Sequence, residues 1–208
     1  MRPLTDHVPK PLLRAGGKPL IAWHLERLAA AGVRDVVINH AHLGSQIEAA
    51  VGDGTAYGLR IRYSPEAAAL ETAGGIANAL PLLGSAPFLV INGDIHCDMP
   101  LAPLLARTPR SAHLVLVDNP PHHTEGDFSL QGGLASSTGQ PRLTFCGIGV
   151  YQPALFAAVP RGAKAKLAPL LVAAMDESRV GAEKYDGFWI DVGTPARLAE
   201  LDARLRRL

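Results

Sequence analysis

Long apolar runs are missing from this sequence, and their absence limits where the protein can act. The longest runs, "PFLVIN" and "HLVLVD", are the size of a strand, whereas a membrane-spanning helix needs about 20 apolar residues. The opening "MRPLTDHVPK" also contains no apolar central segment of the kind found in signal peptides. The sequence therefore predicts no contact with a membrane and a cytoplasmic location.

Cysteine is scarce as well. Cys97 and Cys146 are the only two, and they lie far apart and outside any paired motif. That pattern predicts neither a disulfide framework nor a zinc site. We expect both to be packing residues, because a free cysteine behaves as a small apolar side chain.

Blocks of basic residues are also absent. The 20 lysines and arginines are scattered and nearly balance the 19 aspartates and glutamates. Without a basic patch there is little electrostatic reason to expect a nucleic-acid partner. Small anionic ligands remain compatible with this composition.

Strand-sized and helix-sized segments alternate along most of the chain. A helix is predicted from Pro19 to Ala31, followed by the β-branched strand "VRDVVINH", the helix "LGSQIEAAV" and the alternating strand "LRIRYSP". Later in the chain, helices are predicted for "PALFAAV" and for "PARLAELDARLRRL", in which Pro195 lies near the first position. Such alternation predicts a doubly wound, mostly parallel α/β sheet with Rossmann-like topology. We expect a single domain over residues 1–208, in which residues 119–140 form hairpins or loops and the region 119–150 is a candidate binding region.

Two acidic residues follow predicted strands. Asp94 ends the strand in "LVINGD" and Asp191 ends the one in "FWID". Ligands collect at the carboxyl ends of strands in open α/β sheets, so these carboxylates could converge on one cation. Mg²⁺ suits one or two carboxylates completed by water and phosphate oxygens. Taken singly, each aspartate could equally be an ordinary turn or cap residue.

Two further features suit an anionic ligand. Pro9 and Pro11 flank Lys10 and stiffen the backbone that presents its ammonium group. Gly74 and Gly75 begin a predicted helix, where backbone N–H groups can approach an anion or a base closely. An isolated loop lysine is more often simply exposed, and a double glycine is weak evidence by itself.

Taken together, these segments resemble the sugar-1-phosphate nucleotidyltransferases. That family opens with L-A-A-G-x-G-x-R-M-x-P-L-T and continues with P-K-P-L. The matching segments here, in the same order, are Met1–Thr5, Pro9–Leu12, Leu70–Gly75 ("LETAGG"), Asn92–Asp94 ("NGD") and Trp189–Thr194 ("WIDVGT"). Within the family, "INHAHLGSQIE", "EGDF" and "KLAPLL" look most similar to bacterial N-acetylmuramate-1-phosphate uridylyltransferases.

The resemblance implies transfer of UMP from UTP to a sugar 1-phosphate in peptidoglycan recycling, with a role for each matched segment. Lys10 would contact the nucleotide phosphates, and Asp94 and Asp191 would hold Mg²⁺. The residues implied in nucleotide binding are Lys10, Glu71, Thr72, Gly74 and Asn92. The candidates for the sugar phosphate or the lactyl carboxylate are Asp94, His122, His123, Gly147 and Lys166, with Arg142 as a further cation. His24, alone on its helix, is expected to be structural.

One departure from the family pattern stands at the start of the chain. The family's glycine-rich loop and its arginine precede the position of Met1, so we expect the chain to lack the first strand and to be nearly inactive as printed. Two alternatives therefore stay open. One is a different specificity, such as mannose-1-phosphate guanylyltransferase, and the other is an inactive module that binds nucleotide or sugar phosphate. The sequence leaves the oligomeric state open.

Overall fold

The computed structural model describes residues 1–207, and the chain divides into two compact units. Unit 1 contains residues 1–69, 92–101 and 188–208, and unit 2 contains residues 70–91 and 102–187. The single-domain assignment stays a prediction, because compactness alone does not decide whether a unit folds independently. Within the described range, every helix is too short or too polar to cross a bilayer.

Six α-helices are formed by residues 1–207. They are α1 (Leu20–Ala30), α2 (Gly44–Val51), α3 (Glu71–Leu83), α4 (Ala102–Leu105), α5 (Leu167–Asp176) and α6 (Pro195–Leu205). The predicted first helix is confirmed, as is the last one, which begins at Pro195. The segment "PALFAAV", predicted as a helix, contains only a short 3-10 turn at Pro153–Phe156.

The strands are more numerous than the sequence pattern indicated. They are β1 (Arg14–Ala15), β2 (Lys18–Pro19), β3 (Asp35–His40), β4 (Arg60–Pro65), β5 (Phe88–Ile91), β6 (Ile95–Cys97), β7 (Ala112–Val117), β8 (Phe128–Gln131), β9 (Leu134–Ser136), β10 (Arg142–Tyr151), β11 (Val180–Lys184) and β12 (Trp189–Asp191). The strands that were not predicted are β1, β2, β6 and β11. All four are short or lack a run of large apolar residues.

Unit 2 is built on a six-stranded sheet in the order β5-β10-β7-β11-β9-β8. Only β7 and β11 run parallel in it, whereas the other neighbours are antiparallel. This sheet differs from the mostly parallel one we expected, because a hairpin replaces a helical crossover after β7. Gly132 and Gly133 turn that hairpin with φ of 57° and 80°, the left-handed conformation that tight hairpin turns require.

The core of unit 2 lies between this sheet and helices α3 and α5. Tyr151 and Phe156 are almost completely buried there and pack edge to face, with ring centroids 5.8 Å apart. Burial raises the pKa of the Tyr151 hydroxyl far above its ordinary value. Cys146, on β10, is fully buried, as expected for a packing residue.

Unit 1 contains two small cores. In the first, α1 and α2 bury apolar residues such as Leu25, Ile47 and Ile61 beside the parallel pair β3 and β4. In the second, Leu201 of α6 packs against Ile190, which lies in β12, and against Val192, which follows that strand. The second core fixes the chain on both sides of Asp191.

Several strands carry an unpaired edge within residues 1–207, and β3 and β5 are two of them. Among the described residues, β3 pairs with β4 alone and β5 with β10 alone. All four residues of β5, Phe88 to Ile91, are apolar and only half-buried. An apolar strand edge of this kind is a potential site of aggregation.

His24 lies inside unit 1, as the sequence suggested for a structural residue. It is 6% exposed, and burial together with the charges of Arg27 and His96 lowers its pKa from 6.5 to about 4. Below pH 6.5 the unfolded chain therefore binds a proton at this residue that the folded chain does not. Stability contributed by neutral His24 is complete above pH 6.5 and is lost as the pH falls towards 4.

We expect His24→Leu to reduce the acid sensitivity of the protein. Between pH 7 and pH 5 the free energy of unfolding should fall by about 2 kcal/mol less than in the wild type, given 1.36 kcal/mol per pKa unit. Urea titrations at several pH values measure the difference. His7→Leu, at an exposed histidine, is the control and should keep the wild-type pH slope; an equal slope in both variants would contradict the prediction.

Candidate active site

The pairing of β6 with β12 brings the two predicted metal aspartates to neighbouring backbone positions in unit 1. Asp191 lies opposite Ile95, the residue after Asp94. The Val192 N–H donates a hydrogen bond of 2.7 Å to the Asp94 carbonyl oxygen. Two residues that are distant in sequence are therefore joined by one short antiparallel ladder.

Lys10 pairs with the first of these aspartates. Its Nζ lies 3.0 Å from Asp94 Oδ2, and the two side chains are 30% and 44% exposed. Pro9 is extended, as expected, but Lys10 itself begins a 3-10 turn that runs to Leu12. A hydrogen bond from Leu13 N–H to the Lys10 carbonyl closes that turn. The backbone of Lys10 is therefore held by Pro9 before it and by the turn after it.

The second aspartate pairs with Arg197 in the first turn of α6. Arg197 Nη2 donates to Asp191 Oδ2 at 2.9 Å, and the side chains are 21% and 28% exposed. Thr194 caps the same helix, because its Oγ1 accepts a hydrogen bond from the Arg197 N–H. A Cβ on Gly193 would lie 2.2 Å from Arg197 Nη2, so glycine there lets the guanidinium reach Asp191.

The "NGD" turn carries Asn92 next to this group. The Asn92 carbonyl accepts a hydrogen bond of 3.5 Å from Ile95 N–H, which closes the turn around Asp94. Gly93 lies over Pro11, with 3.7 Å between its ideal Cβ position and Pro11 Cγ. The turn therefore lies against the proline that follows Lys10.

The donor set in unit 1 fits Mg²⁺. Asp94 pairs with Lys10 and Asp191 with Arg197, and Mg²⁺ needs only one or two carboxylates when water and phosphate oxygens complete its octahedron. Among residues 1–207, histidine, cysteine and acidic side chains do not gather in threes around a point that could hold a metal. The metal assignment accordingly stays a prediction that depends on these two aspartates.

In unit 2, the predicted base-binding segment forms the start of α3. Glu71 and Thr72 are exposed, and Glu71 has a φ of 62°, which is unusual outside glycine. The Gly74 N–H, expected to be available to a ligand, instead donates to the Ala165 carbonyl at 3.1 Å. A Cβ at Gly74 would lie 2.3 Å from the Ala163 carbonyl oxygen, so the glycine permits close backbone packing.

That packing brings two lysines to the same end of α3. Lys164 Nζ lies 3.6 Å from Glu71 Oε1, and the Ala165 N–H donates to the Leu70 carbonyl at 2.9 Å. Lys166, a predicted substrate residue, is exposed and immediately precedes α5. The segments that carry Glu71 and Lys166 are therefore neighbours in unit 2, which the sequence alone did not indicate.

The remaining predicted sugar residues lie in the 119–150 region of unit 2. His123 is half-buried, and its Nε2 lies 3.1 Å from Asp127 Oδ1. His122 is exposed. Gly147 is buried in β10 with a φ of 84°, inside a break in register between β10 and β7 that extends from Phe145 to Gly149.

Comparison with known proteins identifies the family of the chain. The model of the nucleotidyl transferase family matches residues 1–130. The chain belongs to the nucleotidyl transferase family. The resemblance to sugar-1-phosphate nucleotidyltransferases drawn from the sequence is thereby confirmed.

The relatives of this nucleotidyltransferase extend the match along the chain. It is 54% identical to the N-acetylmuramate α-1-phosphate uridylyltransferase of Neisseria meningitidis serogroup B, over 98% of this chain and 92% of that protein. It is 34% identical to the enzyme of the same name from Caulobacter vibrioides, over 99% of this chain and 91% of that protein.

A solved structure confirms the fold. A protein described as a candidate glucose-1-phosphate thymidylyltransferase from Bacillus anthracis superposes with a TM-score of 0.87 at 19% identity, covering 100% of this chain and 91% of that one. The α/β class and the nucleotidyltransferase type of fold are therefore as predicted, although most strand pairs in unit 2 run antiparallel.

Two side chains of this nucleotidyltransferase that contact predicted site residues escaped the sequence analysis. Arg197 follows the "WIDVGT" motif by three residues, and an arginine in the first turn of a helix is unusual enough to have drawn attention. Asp127 lies inside the quoted "EGDF", but its contact with His123 at four residues' separation depends on how the loop folds.

We expect Arg197→Met to lower the free energy of unfolding by roughly 1–3 kcal/mol, because the Asp191 carboxylate would lose a largely buried cationic partner. Arg206→Met removes an exposed arginine from the same helix, where it pairs with Asp202, and should cost less than about 1 kcal/mol. Chemical denaturation of both variants measures the difference. Equal losses would show that burial of the Arg197 pair has no energetic consequence.

Proposed function

We propose that this protein transfers UMP from UTP to N-acetylmuramate 1-phosphate and releases pyrophosphate, acting in the cytoplasm in peptidoglycan recycling. The observation that carries the proposal is the group of Lys10, Asp94 and Asp191, in which the β6–β12 ladder joins the two aspartate segments and an ion pair joins Lys10 to Asp94. The 54% identity to the Neisseria meningitidis uridylyltransferase over nearly the whole chain supports the choice of base and sugar.

The reaction forms a bond between a sugar-phosphate oxygen and the α-phosphorus of UTP, while the bond from that phosphorus to the bridging oxygen of pyrophosphate breaks. The nucleophile is already an anion, so a general base is not required. The chemical demand is alignment of the reactants and neutralisation of phosphate charge. A site with one lysine and two carboxylates, without a nucleophilic side chain, suits that demand.

Lys10 would supply a fixed positive charge to the phosphates of UTP. Its ammonium pairs with Asp94 at 3.0 Å, and an anionic phosphate could share it because the lysine is still 30% exposed. Mg²⁺ held by Asp94 and Asp191 would supply charge neutralisation at the phosphate oxygens. Arg197 would then keep the Asp191 carboxylate in one orientation.

The base would be read at the start of α3, where Glu71 and Thr72 are exposed. The backbone there is held by hydrogen bonds to the Ala163–Lys166 segment. A rigid backbone at this point favours discrimination between bases, since hydrogen-bonding edges must meet fixed partners. UTP is preferred in this proposal, and GTP is the competitor to exclude.

We expect purified protein to release pyrophosphate from UTP and N-acetylmuramate 1-phosphate at a rate above that with GTP or with mannose 1-phosphate, although the absolute rate should be low, in line with the near inactivity expected from the sequence. Lys10→Met should lower kcat by about 10²- to 10³-fold, the usual loss for one preorganised donor at developing charge. A coupled pyrophosphate assay measures both. Arg34→Met, at an exposed arginine, is the control. Nucleotide binding without turnover would instead support the inactive binding module.

We expect the protein to bind Mn²⁺, a spectroscopic substitute for Mg²⁺, through Asp94 and Asp191. Asp94→Asn and Asp191→Asn should each weaken binding by roughly tenfold or more, because each removes one charged ligand. Electron paramagnetic resonance of free Mn²⁺ measures the affinity. Asp35→Asn, at an exposed aspartate paired with Arg60, should bind as the wild type does; equal affinity in all four proteins would refute the metal site.

A further inference from the structure

One carboxylate in unit 2 joins two of the elements predicted to bind the sugar. Asp127 Oδ1 lies 3.1 Å from His123 Nε2, and Asp127 Oδ2 accepts a hydrogen bond of 2.7 Å from the Phe145 N–H. Phe145 is the β10 residue at which the break in register around Gly147 begins. Both oxygens of the carboxylate are therefore used, one on each element.

The loop that carries His123, residues 119–127, is itself tied to β10. The Asp127 N–H donates to the Leu143 carbonyl at 2.8 Å, and Arg142 Nη2 donates to the Asp127 carbonyl. Asn119 accepts from Thr144 Oγ1 at 2.8 Å and donates to the Arg142 carbonyl at 3.0 Å. The loop is thus braced at both ends against the same stretch of strand.

Glycine at position 126 makes this brace possible. Gly126 is buried with a φ of 64°, and a Cβ there would lie 2.8 Å from Asn119 Oδ1 and 2.9 Å from the Arg142 carbonyl carbon. Only glycine accommodates both the backbone conformation and the close approach. The local sequence is therefore shaped to bring Asp127 against β10.

The break in β10 is the second half of the arrangement. Bulges of this kind bend a strand and re-aim its residues, and they are frequent beside active sites. Gly147, at its centre, has the positive φ that such an irregularity needs. Because the Phe145 N–H is held by Asp127, the start of the bulge and the imidazole of His123 are positioned by the same side chain.

We propose that Asp127 is a positioning residue for the sugar phosphate, acting by orienting the His123 imidazole relative to the β10 bulge. The inference rests on the proposed function and adds to it a residue that would help to bind the sugar 1-phosphate, which is the acceptor of UMP. A bond from Nε2–H to Asp127 leaves Nδ1 of His123 as the ring nitrogen that can meet an anionic group of the acceptor. The side chains of His123 and Asp127 are 41% and 36% exposed, so a ligand can reach the pair.

The test compares Asp127→Asn with Asp118→Asn by steady-state kinetics with UTP and N-acetylmuramate 1-phosphate. Asp118 is the matched control, since it is an exposed aspartate that pairs with Lys184 just before the same loop. We expect Asp127→Asn to raise KM for the sugar phosphate about tenfold, the order of one lost charged hydrogen bond. In the same variant, KM for UTP should stay within about twofold of the wild-type value, and the Tm should stay within about 2 °C. Asp118→Asn should leave both KM values unchanged.

A double mutant separates positioning from a merely structural role. If Asp127 acts through His123, the Asp127→Asn effect on the sugar KM should disappear in a His123→Gln background. An effect that persists there, or equal rises in both KM values, would overturn the inference.

A failure of the proposed function gives a different result from a failure of this inference. If the wild type turns over UTP only with another sugar 1-phosphate, the proposed acceptor is wrong, and the same comparison is made with the acceptor that reacts. If the wild type neither turns over nor binds any sugar 1-phosphate in titration calorimetry, both proposals fall. Tight sugar-phosphate binding that Asp127→Asn leaves unchanged would overturn the inference alone.

Discussion

The short antiparallel ladder between β6 and β12 is the contact on which the candidate site depends. The three paired positions of this ladder, extended by the hydrogen bond from Val192 N–H to the Asp94 carbonyl, hold the two aspartate-bearing segments at one place. Carboxylates repel each other when they are brought together, so the ladder must be supported by apolar packing. Ile190 and Val192 supply that support by packing with Leu201 of α6.

Charge compensation follows from the same arrangement. Lys10 and Arg197 each neutralise one aspartate, and they come from opposite ends of the chain. The pairs are only partly buried, so each remains accessible to a competing anion or cation. Such a site is stable without ligand and can still exchange its partners for phosphate oxygens or a metal ion. In the proposal, Asp127 would orient His123 as Arg197 would orient Asp191.

Much of the fold could be predicted from periodicity, because strong local signals agreed with the tertiary structure there. The Thr194–Pro195 start of α6 is one example, and the alternation in β4 is another. The signals failed where pairing is decided by distant residues. Strand β11 contains Gly181 and Glu183 and has little apolar pattern, yet it lies between β7 and β9 because its backbone groups complete the sheet.

The residues of the candidate site also divide into those that the sequence predicts and those that it does not. Lys10, Asp94 and Asp191 could be named because each lies in a motif of the family. The two aspartate segments are neighbours because β6 and β12 pair antiparallel, whereas the sequence predicted that the ends of parallel strands would bring them together. Arg197 and Asp127 could not, because their roles depend on which side chain faces them across a turn. Likewise, the hydrogen bond from Gly74 N–H to the Ala165 carbonyl joins two distant segments, and no local sequence pattern predicts it.

The order of segments in unit 1 has a consequence for biosynthesis. Its residues come from three separate segments, so the strand that carries Asp191 is made well after the segments that carry Lys10 and Asp94. Closing so long a loop is entropically costly and slow relative to local structure. A nascent chain therefore has no assembled site until the segment around Asp191 has left the ribosome.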